Sequence, residues 1–246
     1  MTNTKNSFDS SVQEIGNLEW LGGLIQTTDT LFPSGGYAHS YGLEELVALG
    51  RVSSKRDLED FLLYEILPAL ENLELPYLRF CLDAISKREY EDLFVLNEEI
   101  CSWKLTCETR NAGLAQGTQM IRMIQDIYQC PVSARFAEML LLRGEQCQQI
   151  TATALLRKVQ QVPMAPSMIA WIYQTVSNFC SASIKLLRLG EVACQKIIHR
   201  CLDRGRIQET LSRSMAVERK EAGFFNPMLD LASARHELAF SRLFIS

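Results

Sequence analysis

SMIAWIYQTVSNFCSASIKLLRL, residues Ser167 to Leu189, is the stretch that decides the fold. Ile169, Ile172, Val176, Phe179, Cys180, Ser183, Leu186 and Leu187 recur at steps of three and four, the period of a helix. Few polar residues interrupt them, so the helix is expected to be mostly buried. Gly190 is expected to stop it. Pro163 to Pro166 is expected to break the chain just ahead of it.

The same period extends in both directions. Upstream it covers 18–30, with Leu21, Leu24 and Ile25, and then a segment from His39 to Gly50. Between them lies a turn at Pro33-Ser34-Gly35-Gly36. Ser54-Lys55-Arg56-Asp57 resembles a capping box that opens a long helical region to Lys87. Pro68 and Pro76 are expected to kink or divide that region. Residues 90–127 read as helical throughout, Pro131 breaks the pattern, and shorter helices fit 133–143 and 147–161. Downstream, 192–202 and 207–221 are further helices. Alternating strand patterns are scarce. The fold class is therefore all-α, a single compact bundle of roughly ten helices. Residues 1–16 are expected to be a flexible segment, 17–223 the domain, and 224–246 a tail.

Composition excludes several classes. The chain has 246 residues, 47% hydrophobic and 22% charged, with a net charge of -4. That balance gives no electrostatic footprint for nucleic acid. No apolar run approaches the roughly 18 residues that span a bilayer. The polar N-terminus lacks the apolar core of a signal peptide. Eight cysteines without a C-x-x-C pair suit a reducing compartment, so a cytoplasmic protein without membrane contact is expected.

Chemistry-bearing motifs are few. There is no phosphate-binding G-x-x-x-x-G-K-[ST] and no G-x-S-x-G elbow. The histidines His39, His199 and His236 are far apart. Cys194, His199 and Cys201 are close in sequence but fall on different helix faces. Cys130-Pro131-Val132 lacks a histidine to complete a Cys-Pro-His motif. A helical interaction protein fits better than an enzyme. A small enzyme using cysteine or histidine remains the alternative, along with a scaffold for other partners.

The tail is unusual for a terminus. Asn226 is placed to cap a helix and Pro227 to occupy its first position. Leu229, Ala232, His236, Ala239 and Leu243 then form one stripe. Such a face needs a surface to cover it, either the protein's own core or a partner.

Three segments together resemble the urease accessory protein UreF family. Leu31 to Glu44 looks like its N-terminal signature, with a Pro-x-Gly turn, an aromatic, and Ser40-x-Gly42-Leu43-Glu44. Ser183 to Gln195 is similar to a second family segment, although Arg188 stands where proline is usual and Glu191 where glutamine is common. Arg235-His236-Glu237 and Ser241-Arg242-Leu243-Phe244-Ile245-Ser246 resemble the family's ending. Glu108-Thr109-Arg110 is a fourth, weaker match.

The resemblance implies an all-α, non-catalytic protein without a cofactor. It would dimerise, bind UreH/UreD, and recruit the GTPase UreG to the urease apoprotein for nickel insertion. It also implies that the tail orders against UreH and that Tyr37 and Arg242 contribute to the surface used by UreG. The candidate partner-binding residues are accordingly Tyr37, His39, Leu229, Arg235, His236, Leu238, Arg242, Leu243 and Phe244. Tyr41, Trp103 and Trp171 are expected inside the domain.

Overall fold

The computed structural model describes residues 18–29, 31–33, 39–236 and 242–245. Eleven helices and no strands occur among the described residues. They are α1 (Glu19–Thr28), α2 (Leu43–Ala48), α3 (a continuous rod over 55–87), α4 (Tyr90–Trp103), α5 (Cys107–Tyr128) and α6 (Pro131–Arg143). The rest are α7 (Gln149–Val159), α8 (Met164–Leu186), α9 (Glu191–Cys201), α10 (Arg204–Ala216) and α11 (Pro227–His236).

The axle of the bundle is α7. Its eight residues from Ile150 to Arg157 are all buried, on every face. Alanines and threonines there let α3, α4 and α5 approach closely. Arg157 is only 1% exposed, and its Nη1 donates to Thr27 Oγ1 (2.6 Å) and Gln160 Oε1 (3.1 Å). Burial pulls its pKa down to about 10. Through Thr27 it anchors α1, which buries only that residue.

The rod α3 corrects one sequence expectation. Its N-cap is as expected, with Ser54 Oγ accepting from the Asp57 N–H at 3.2 Å. Asp57 reaches back to Ser53 instead of Ser54, and those bonds hold its carboxyl below the usual range. Pro68 and Pro76, however, do not divide the rod. A widened π-helical turn precedes each, Leu62–Ile66 and Leu70–Glu74, and the helix continues beyond. Pro76 has no N–H for the Asn72 carbonyl four residues back. The Gly223 N–H takes that acceptor at 3.0 Å, fastening the loop ahead of the tail.

Two further boundaries differ. The 90–127 region is split at 104–106, where Thr106 caps α5 by accepting from the Thr109 N–H. A Lys-Leu-Thr break without proline or glycine leaves little trace in hydrophobic periodicity. Conversely, Pro166 does not break α8. It lies in the first turn, where N–H groups have no intrahelical partner.

Tyr41 is half-buried and Tyr77 is 2% exposed. Burial pushes both phenols up to about 12. Both stay protonated in the folded chain, whereas the unfolded chain releases these protons near pH 10. Their contribution is complete below pH 10 and lost between about 10 and 12, roughly 2 kcal/mol for each at the upper end. Thermal melts are expected to fall steeply over that window, and Tyr77→Phe should flatten the fall.

Candidate functional site

The conspicuous site lies where the C-terminal segment meets the body. Helix α11 begins as the sequence suggested, with Asn226 Oδ1 accepting from the Leu229 N–H at 3.1 Å and Pro227 in the first position. It packs on α2 and on α5. Tyr41 and Gly42 enter α2 with φ of 51° and 84°. A Cβ on Gly42 would lie 3.2 Å from Leu229 Cδ1 and 3.4 Å from the Leu229 carbonyl, so glycine is what lets the tail helix approach.

Three ionisable groups from distant parts of the chain converge there. His236 ends α11 and is 1% exposed. Its Nδ1 lies 3.0 and 3.2 Å from the two oxygens of Glu108, in the first turn of α5. Its Nε2 lies 3.1 Å from Glu44 Oε2, in the first turn of α2. A neutral ring has one N–H, so only the doubly protonated ring donates to both carboxylates at once. Helix dipoles add to this arrangement, favouring carboxylates at N-termini and a cation at a C-terminus.

The last residues return to the same carboxylates. Glu44 accepts from the backbone N–H groups of Leu243 (2.8 Å) and Phe244 (3.1 Å). Arg242 Nη1 donates to Glu108 at 3.1 Å. Arg235 Nε donates to Glu45 at 2.7 Å, and the Ser233 and Thr106 hydroxyls share a bond at 3.0 Å. Phe244 is 7% exposed, with Lys185 Nζ 5.5 Å from its ring centroid. Glu44 thus holds the tail at three points and Glu108 at two.

The candidate residues divide into three groups. His236 and Phe244 are buried against the protein's own body, and Leu229 is half-buried beneath Gly42. Arg235, Arg242 and Leu243 are exposed, the two arginines being paired as above. His39 is buried, its ring 5.8 Å from Tyr41, and burial lowers its pKa. Tyr37 and Leu238 lie outside the described residues. The expectation of a single apolar face needs correction. Helix α11 buries Ala232, Ser233 and His236 but leaves Met228 and Leu231 exposed. Phe225, Leu243 and Ile245 are exposed as well, so the docked segment has an apolar outer surface.

Glu45, Thr106 and Ser233 had no place in the sequence reading, and Glu44 and Glu108 appeared only as letters in matched motifs. Their partners lie 128 and 192 residues away. Elsewhere, Cys81, Cys147, Cys180, Cys194 and Cys201 are buried, and burial pushes the Cys81 thiol up to about 12 and Cys201 to about 11. That is opposite to the shift a nucleophilic thiol needs. Among the described residues no cluster of His, Cys, Asp and Glu is arranged to hold a metal. No helix among them is long and apolar enough to cross a membrane.

Fold and site together define an all-α protein whose C-terminal segment is latched across its own body by hydrogen bonds and ion pairs to Glu44, Glu45 and Glu108. The chain belongs to the urease accessory protein UreF family, whose model matches residues 52–202, more than half its length. Urease accessory protein UreF of Marinomonas sp. (strain MWYL1) is 29% identical over 223 residues, covering 91% of this chain and 93% of that protein. The corresponding protein of Thermosynechococcus vestitus (strain NIES-2133 / IAM M-273 / BP-1) is 24% identical over 223 residues, 91% and 96% of the two chains. That of Actinobacillus pleuropneumoniae is 23% identical over 228 residues, 92% and 99%.

Proposed function

We propose that this protein is a non-catalytic cytoplasmic factor of urease maturation that acts through its latched tail. In this reading it forms a homodimer, binds UreH/UreD, and recruits the GTPase UreG to the urease apoprotein. Nickel is cargo of that assembly, delivered to urease. The observation that carries the reading is the docked tail with its apolar outer surface, Phe225, Met228, Leu231, Leu243 and Ile245. An exposed apolar surface of this kind marks an interaction site.

The latch gives that surface its economy. A segment that orders only on binding loses conformational entropy at that moment, and affinity falls accordingly. Here His236, Arg242 and the backbone of Leu243 and Phe244 are already held by Glu44 and Glu108. A partner then meets a formed helix face. By resemblance, Tyr37 and Arg242 are the proposed contacts for UreG, with His39 supporting that end of the molecule.

The test is co-expression with UreH/UreD and UreG, followed by size-exclusion chromatography with mass detection. The full chain is expected to elute as a complex containing two copies of itself, and a chain ending at Phe225 is expected to elute alone. Leu231→Glu, which leaves the latch intact, should weaken the complex without unfolding the protein. Equal co-elution of the truncated chain would remove the tail from the proposal.

A further inference from the structure

A cavity of about 160 Å³ lies beneath the tail helix, walled by α3, α8, the α4–α5 junction, the start of α7 and α11 itself. Three features set it apart from a packing defect. Its α3 wall is formed by both π-helical turns, which contribute Ile66, Leu70 and Glu74. Such turns occur frequently at functional sites. Tyr41, in a left-handed conformation rare for a tyrosine, also lines it. Its charged groups are arranged: Glu74 accepts from Lys104 Nζ at 2.6 Å and from Trp171 Nε1 at 2.9 Å.

The lining specifies a guest. Tyr41, Trp103, Trp171 and Phe179 give it aromatic walls, and the rest combines aliphatic side chains such as Ile66 and Leu70 with side-chain amides and threonine hydroxyls. An apolar cavity of about 150 Å³ admits a benzene ring. Glu74 and Lys104 neutralise each other, and Asp230 is a further carboxylate of the lining, so nothing there is left to balance an anionic guest. Asn226, Leu229 and Asp230 of the C-terminal segment close one side.

We propose that this cavity binds a small aromatic molecule that is not an anion, one ring or a fused pair with a single hydrogen-bonding group, and that the guest strengthens docking of the tail. A guest contacting α11 in the docked state loses those contacts when α11 leaves. By linkage it then favours the docked state by the same factor that docking favours the guest. This coupling is internal to the chain and does not depend on the protein partners proposed above.

The experiment uses the full chain and indole as probe, with benzoate as an anionic counterpart of similar size. Ligand-detected NMR is expected to show saturable indole binding, with benzoate weaker by about tenfold or more. Ala69→Leu and Thr175→Leu fill the cavity from opposite helices, and each should weaken indole binding by a similar factor. Thermal melts identify a variant that fails to fold, in which case the other carries the comparison. Amide exchange across 227–236 should slow when indole is present. Absence of saturable binding, or binding insensitive to the filling variants, overturns the site. Binding without slower tail exchange overturns the coupling.

Discussion

His236→Ala is expected to free the C-terminal segment while leaving the helical body folded. Among the described residues, the change removes the one group that touches both Glu44 and Glu108, whose side chains are 15% and 10% exposed. Breaking a buried charged contact and leaving its partner behind costs roughly 3–5 kcal/mol. The cost here is lower, because Glu44 keeps two backbone N–H donors and Glu108 keeps Arg242. About 2–4 kcal/mol remains, concentrated on the tail. Amide exchange across 227–236 should accelerate by roughly thirtyfold to several hundredfold, with little change in α7. Arg242→Ala, which removes a half-exposed pair, should have a much smaller effect, under about 1 kcal/mol. Unchanged tail exchange in His236→Ala would mean that apolar packing, not the ion pairs, holds the segment.

The latch matters because α11 has little else to hold it. It is ten residues long, its buried side chains are Ala232, Ser233 and His236, and two of its larger apolar residues face outward. An isolated helix of that length is marginal in water. Burying an alanine and half of Leu229 contributes modestly. Charged groups therefore decide whether the tail is docked, and the same docking creates the outer apolar surface. Substitutions at Glu44 or Glu108 are accordingly expected to act like substitutions on the tail, although both residues belong to the body. A double-mutant cycle pairing Glu108→Gln with His236→Gln measures that coupling directly.

How much of this was legible depends on the range of the interaction. Helices with local determinants came through: the Asn226 cap with Pro227 and the Ser54 cap are read from neighbours within four residues. The stop expected at Gly190 falls earlier, because α8 ends at Leu186, Arg188 takes the left-handed turn at φ 54°, and Gly190 is extended ahead of α9. Proline overstated the breaks. At 68 and 76 the chain widens into π turns and reassigns a carbonyl to Gly223, a compensation supplied by a residue 151 positions away from Asn72. At 166 the proline occupies a first turn. The tail was recognisable as an element needing a surface, and its motifs pointed to the family. Which surface covers it was not legible, since a stripe of residues looks the same against its own body as against a partner. Glu44 and Glu108 stand at ordinary acidic positions in the first turns of helices, and only the fold brings them to one imidazole.

Gly117→Ala is expected to be among the most damaging small substitutions in the chain. Gly113 and Gly117 lie on the face of α5 that receives residues 147 and 148. A Cβ on Gly117 would fall 2.1 Å from the Cys147 carbonyl oxygen and 2.6 Å from the Gln148 carbonyl carbon. These are backbone atoms, and no rotamer change relieves the overlap. The facing segment cannot retreat easily. Asn97, 2% exposed, accepts from the Gln148 N–H at 2.8 Å and donates to the Gln146 carbonyl at 2.9 Å from the far side. In an unobstructed helix, alanine for glycine stabilises by up to about 1 kcal/mol. At 117 overpacking outweighs this, and a net loss of roughly 3–5 kcal/mol is expected. For a domain of this size that lowers the melting temperature by roughly 10 °C. Gly22→Ala in α1 is the control, because nothing lies within 4 Å of its Cβ, and it should melt at or slightly above the parent temperature. If the two variants melted alike, the close contact between α5 and the start of α7 would not exist in solution.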